Sequence, residues 1–141
     1  MGTKTTPVES SNLALAGKAL NVISSYPYAY VTTEDAGLRV LDWTSPVKPS
    51  ELGYYDPQKP VYDAAVNGLF AYLAAEDLYI VNISNPENPY MAGYYEIGGA
   101  RGIAVDGDYI YVASGEDGIY IFKTTAPAPP SDVVLTDVLK G

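Results

Sequence analysis

Neither cysteine nor histidine occurs anywhere in the 141 residues. The first absence excludes disulfides, thiolate metal sites and cysteine nucleophiles. The second removes the commonest general base and the commonest metal ligand. Cationic side chains are also scarce: 8 Lys and Arg stand against 17 Asp and Glu, for a net charge of −9. That balance disfavours nucleic acid and anionic membrane surfaces, which reward clustered Lys and Arg. No apolar run approaches the ~18 residues that mark a spanning helix, so no membrane insertion is expected. Met1 to Lys4 has no apolar core, so no secretion signal is visible at the start. Helical periodicity is missing too. The sole helix candidate is Ser131 to Lys140, and its apolar residues suit a strand equally well.

What the chain has in quantity is apolar and aromatic material. Hydrophobic residues make up 48%, and there are 14 Tyr beside only 2 Phe and 1 Trp. Tyr suits a half-buried sheet, where the ring packs and the hydroxyl reaches water.

The chain also repeats itself. Leu38-Arg39-Val40-Leu41-Asp42 returns as Leu78-Tyr79-Ile80-Val81-Asn82 and again, altered, as Ile119-Tyr120-Ile121-Phe122-Lys123. A period near 40 residues with several short strands per repeat marks propeller blades or solenoid units. Each repeat divides into four strands. In the second they run from Val61 to Val66, Leu69 to Ala74, Leu78 to Ile83 and Tyr90 to Tyr95. Asn67-Gly68, and Asp106-Gly107 in the third repeat, supply the φ > 0 pair of a two-residue hairpin. Strands such as Tyr109-Ile110-Tyr111-Val112 are apolar on both faces, as sheets covered on both sides require.

The fold expected is therefore all-β: about three four-stranded antiparallel propeller blades over residues 20–123. Residues 1–19 form an N-terminal segment, and 124–141 a Pro-rich linker and tail. Pro7-Val8-Glu9 to Leu13 overlays Pro49-Ser50-Glu51 to Tyr55, so the N-terminal segment is a candidate outer strand for the last blade. Ser131 to Leu139 competes for that place.

The Leu38–Asp42 and Leu78–Asn82 strings, each followed by Ser/Thr-x-Pro and a Gly-Tyr-Tyr strand, resemble the LVIVD repeat family. Tyr28-Ala29-Tyr30-Val31 and Ile110-Tyr111-Val112-Ala113 are similar to the strand that precedes that motif. The resemblance implies a β-propeller, an extracellular or cell-surface setting, and no assigned catalysis. The chain departs from the family at Lys123, where the motif's terminal Asp or Asn is missing, and in carrying only three repeats.

Propellers close with about four to eight blades. Three blades leave two apolar faces and two strand edges open, and such surfaces invite pairing. A homodimer completing a six-bladed ring is the expectation; a cyclic trimer of nine blades and a fragment cut from a longer protein are the alternatives.

The acidic pairs Glu34-Asp35, Glu76-Asp77 and Glu116-Asp117 fall between the second and third strands of successive repeats, on one face of the ring. Such carboxylates could hold Ca²⁺ or a cationic ligand; as turn residues they need no ligand. Asp106-Gly107-Asp108 is read as a hairpin turn, not a calcium loop, and Asn82-Ile83-Ser84 as structural, not as a glycosylation acceptor. Arg101 is expected to pair with Glu96 or Glu116, with an anionic ligand as the alternative. Trp43 and the pairs Tyr54-Tyr55 and Tyr94-Tyr95 suit packing between blades or a sugar-stacking platform. The expected function is a non-catalytic, self-associating propeller scaffold or binding module with no cofactor. A lectin-like module is the alternative, and a carboxylate-based hydrolase a more distant one.

Overall fold

The structure is a computed structural model that describes residues 7–124 and the backbone of 135–140. Among them lie eleven strands and one short 3-10 turn. The first sheet has the order β1 (Ala19–Ser25), β2 (Tyr28–Thr33), β3 (Leu38–Asp42), β4 (Ser50–Tyr55). The second is β5 (Asp63–Asn67), β6 (Phe70–Asn82), β7 (Tyr90–Ala100). The third is β8 (Gly102–Asp106), β9 (Tyr109–Ala113), β10 (Ile119–Thr124), β11 (Leu135–Lys140). Every neighbouring pair is antiparallel.

The second sheet is four-stranded in substance. A straight 13-residue strand would be ~43 Å long at ~3.3 Å per residue. Yet the Ile83 N–H, just past the end of β6, donates to the Leu69 carbonyl, just before its start, at 2.8 Å. β6 therefore folds back on itself. The bend is at Glu76, whose φ of 64° is uncommon for a residue with a side chain. Trp43 N–H to Pro27 O at 2.7 Å and Thr124 N–H to Asp108 O at 2.9 Å close the same hairpin in the other sheets.

The hairpin turns lie one residue further on than expected. Asn67 pairs with Phe70 and Asp106 with Tyr109, so the two-residue turns are Gly68-Leu69 and Gly107-Asp108. Only their first residues, Gly68 and Gly107, have positive φ, 63° and 61°; Asn67 and Asp106 end their strands, so the expected pair with φ > 0 is corrected to a glycine-first turn.

The sheets stack face to face, with the first strands β1, β5 and β8 side by side. One buried cluster fills the space between the first two sheets: Leu38 and Val40 from one side, Leu73, Tyr79 and Val81 from the other. A second lies between sheets two and three, with Leu78 and Ile80 against Ile110, Val112 and Phe122. β6 is buried along almost its whole length because it faces a sheet on each side. A small third cluster, Ala29, Val31 and Leu41, lies on the outer face of the first sheet, where Leu15 and Trp43 pack on it.

The termini resolve the competition seen in the sequence. β11 pairs with β10, placing Leu139 opposite Ile121 and Val138 opposite Phe122, so the C-terminal segment supplies the fourth strand of the third sheet. The candidate outer strand at the N-terminus is corrected: residues 7–18 form no strand. They lie as a strap along the outer face of the first sheet, where the Ser11 hydroxyl donates to the Pro46 carbonyl at 2.5 Å. β11 is the next strand after β10 in the chain, while the strap lies against the outer face of sheet one.

Candidate functional site

The three acidic pairs sit at equivalent turns, but the structure uses them differently. Glu34 and Asp35 are exposed, and Asp35 accepts the Lys18 N–H at 2.8 Å. Glu116 and Asp117 are exposed on the 3-10 turn Gly115–Asp117, where the Tyr120 hydroxyl lies 3.4 Å from Asp117. Glu76 is half-buried and Asp77 buried.

Asp77 is a saturated acceptor. Oδ2 receives Lys59 Nζ at 2.7 Å and the Tyr94 hydroxyl at 2.8 Å. Oδ1 receives the N–H groups of Ile97 at 2.8 Å and Gly98 at 2.9 Å. Burial alone would push this carboxyl upward. The Lys59 ammonium, the two backbone donors and the Tyr94 hydroxyl outweigh it and hold Asp77 at about 2. The same contacts raise Lys59, chiefly through its bond to Asp77. Lys59 belongs to the connection into sheet two, and Ile97 and Gly98 to the far end of β7. Asp77 thus ties the entry and the exit of the middle blade together.

A second carboxylate does comparable work. Asp63, at the start of β5, accepts from Asn21 Nδ2 at 2.7 Å and from the Ile103 N–H at 3.1 Å. These partners stand 42 residues before it and 40 after it, at nearly the same place in the neighbouring sheets. The first strands of all three blades are thereby linked at one level. Neither Asp63 nor Lys59 stood out in the sequence.

Arg101 forms no ion pair with Glu96 or Glu116. Its guanidinium lies 4.2 Å over the Tyr62 ring, and Nη1 donates to the Ala100 carbonyl at 3.1 Å. The expected internal partner is thus an aromatic face and not a carboxylate. The ion pairs among the described residues are Lys59–Asp77 and Arg39–Glu51.

The Tyr pairs divide in the same manner. Tyr55, Tyr79 and Tyr94 form a chain of tilted and edge-on rings with centroids 6.5 and 5.0 Å apart. Tyr95 meets Phe122 edge-on at 4.9 Å. Tyr54 is half exposed, with the Arg39 guanidinium 4.3 Å over its ring. Trp43 is half-buried under the strap. Asn82 is fully buried, and its Oδ1 accepts the backbone and hydroxyl of Ser84 at 2.9 and 2.6 Å. Gly107 and Asp108 form the two-residue hairpin turn, and Asp106 ends β8 opposite Tyr109.

Among the described residues, one cleft of about 730 Å³ runs along β4 to the Glu87–Asn88 loop of the next sheet and includes Arg39, Tyr54 and Gln58. One of about 420 Å³ lies between Glu34, Asp35, Asp56 and Lys59. One of about 430 Å³ opens beneath the strap and is mainly apolar. Among the described residues no three carboxylates converge as a metal site would require. Nor is there a helix long and apolar enough to cross a membrane.

Comparison with known proteins places this geometry. The LVIVD repeat profile matches three times, over residues 16–57, 60–96 and 97–131, one match for each sheet. No curated protein matches in sequence. Among solved structures, the N-terminal domain of Nup159 superimposes with a TM-score of 0.54 at 12% identity, covering 94% of this chain and 35% of that one. An S. cerevisiae structure of a Dbp5 variant bound to Nup159, a Gle1 variant, IP6 and ADP gives 0.55 at 13% identity, with the same coverage. The chain spans about a third of the length of those structures. At that identity the likeness shows the fold alone: three propeller-like blades.

Proposed function

The chain belongs to the LVIVD repeat family, and from that premise we propose that it is a non-catalytic propeller module that binds a second copy of itself and acts as a scaffold. The observation that carries this reading is at the two ends of the stack. Val22 and Leu20 on the first sheet are 60% and 42% exposed, and Tyr109 and Ile119 on the third are 41% and 40% exposed. Aligned blades bury such positions against a neighbour, and exposed apolar faces of this kind favour association.

The carboxylates support a non-catalytic role. Asp77 is committed to four donors, and Asp63 to two neighbouring blades. A carboxylate held at about 2 by a full set of donors is a poor proton carrier near neutral pH. Light scattering on the full chain tests the proposal. A molar mass near twice the 15.1 kDa of one chain, or a higher multiple, is expected. A monomer up to high micromolar concentration would remove it.

One observation favours a second reading, carbohydrate binding. The 730 Å³ cleft pairs the half-exposed Tyr54 ring with Glu51, Gln58, Glu87 and Asn88, polar groups suited to sugar hydroxyls. A glycan array on wild type and Tyr54→Ala decides it: binding lost with the ring supports it, and no binding to any glycan dismisses it.

A further inference from the structure

The three blades share a residue pattern on the face turned toward the next blade. In the first it is Tyr28, Tyr30, Leu38 and Val40; in the second, Phe70, Tyr72, Leu78 and Ile80; in the third, Tyr109, Tyr111, Ile119 and Ile121. The strand registers make these positions equivalent. Asn67 pairs with Phe70 as Asp106 pairs with Tyr109, and each set alternates along its strands, so it lies on one face. In the first blade Leu38 and Val40 are fully buried against the second, and in the second blade Leu78 and Ile80 are fully buried against the third. In the third blade the same pattern persists: two Tyr and two branched aliphatics. Among the described residues none of those four belongs to a buried cluster, and Tyr109 and Ile119 are exposed.

The opposite, receiving face repeats as well. The second blade receives the first with Ala71, Leu73, Tyr79 and Val81. The third receives the second with Ile110, Val112, Tyr120 and Phe122. The first blade carries Ala29, Val31, Arg39 and Leu41 at those positions, so three of four are apolar. Among the described residues Leu15 and Trp43 are the partly buried hydrophobics that pack on that face, and an apolar cleft of about 430 Å³ opens between the strap and Leu20 and Val22. The strap makes a poor fit to a surface shaped for a sheet.

Resting on the self-association proposed above, we infer that two copies join head to tail: the outer face of the third blade of one copy seats on the outer face of the first blade of the other. The contact continues the two interblade interfaces already present within the chain. It is heterologous, with different surfaces meeting at each joint. A symmetric pairing of identical faces would set two offering faces against each other, an arrangement found nowhere within the chain.

The experiment uses two surface variants of the full chain. Val22→Asp marks the head face and Ile119→Asp the tail face. Both positions are exposed, so folding is retained, and circular dichroism and thermal melting confirm it for each. Each variant alone should self-associate at least ~10-fold more weakly than wild type, because a buried unpaired carboxylate opposes the joint. Mixed in equal amounts, the two should form a two-chain species, since the intact head of one meets the intact tail of the other. A head variant that associates like wild type while the tail variant does not would overturn the head-to-tail inference and leave self-association standing. So would a mixture that stays monomeric while wild type associates. A monomeric wild type would instead overturn the self-association proposal itself.

Discussion

Lys59 Nζ lies 2.7 Å from Asp77 Oδ2, across the joint where the chain passes from the first blade into the second. Asp77 is buried and Lys59 partly exposed, so the carboxylate gains a charged partner while the ammonium keeps contact with water. With Tyr94, Ile97 and Gly98 as further donors, removing the acceptor strands several polar groups. Asp77→Ala is expected to destabilise the fold by about 3 kcal/mol, in the range for breaking a buried hydrogen-bonded charge. Lys59→Met should cost less, because three donors to Asp77 remain. Urea denaturation of the three proteins checks the order.

The pH dependence follows from the same carboxylate. Its value in the folded chain is about 2, below the 3.8 of an unperturbed Asp. A depressed folded value means that the folded state favours the charged form. The stabilisation is complete above pH 3.8 and is lost as pH falls from there through about 2. Thermal melts across that window should show wild type losing stability more steeply than Asp77→Asn, whose side chain does not titrate.

Gly53 sits where β4 meets the next blade. A Cβ there would lie 2.5 Å from the Pro86 carbonyl oxygen and 2.9 Å from Glu87 backbone atoms. At the repeat-equivalent Gly93 the nearest atom is Ile80 Cδ1, the end of a side chain, at 3.2 Å. Gly53→Ala must therefore push backbone apart and should cost about 1–3 kcal/mol, the usual range for overpacking. Gly93→Ala should cost clearly less, since Ile80 can shift. Chemical denaturation of the pair reads the difference.

The strap competes with the proposed partner for the first blade. Removing residues 1–15 should tighten self-association severalfold, whereas Leu15→Ser should loosen the strap in the full chain. Trp43 is the only tryptophan and packs beside Leu15, so Leu15→Ser should also shift its emission to longer wavelength. An unchanged spectrum would mean that the strap does not cover the ring.

The blades were legible because each strand carries its own signal. Tyr28–Thr33 and Leu38–Asp42 coincide with β2 and β3, and Gly68 and Gly107 mark the hairpins with a positive φ, although each turn begins at the glycine and not at the Asn or Asp before it. The strand expected to be covered on both sides, Tyr109 to Val112, is covered on one: Ile110 and Val112 are buried while Tyr109 is exposed, because the third sheet ends the stack. β6, with a sheet on each side, is the strand buried along almost its whole length. The site was much less legible. Asp35, Asp77 and Asp117 occupy equivalent turns, yet only Asp77 is buried, because Lys59 and the extended end of β7 close over it. That closure depends on residues from two other segments, and local spacing carries no trace of it. Asp63 was overlooked for the same reason: its partners lie in the sheets on either side. The N-terminal overlay on Pro49 to Tyr55 matched residue types, but edge pairing went to the segment that emerges beside β10.

Sedimentation equilibrium of the unmodified chain over a wide dilution series addresses the exposed end faces most directly. Reversible growth from one chain mass to an integral multiple, abolished by Ile119→Asp, is the expected result. A single 15.1 kDa species at every concentration would show that these faces remain in water and that no second copy covers them.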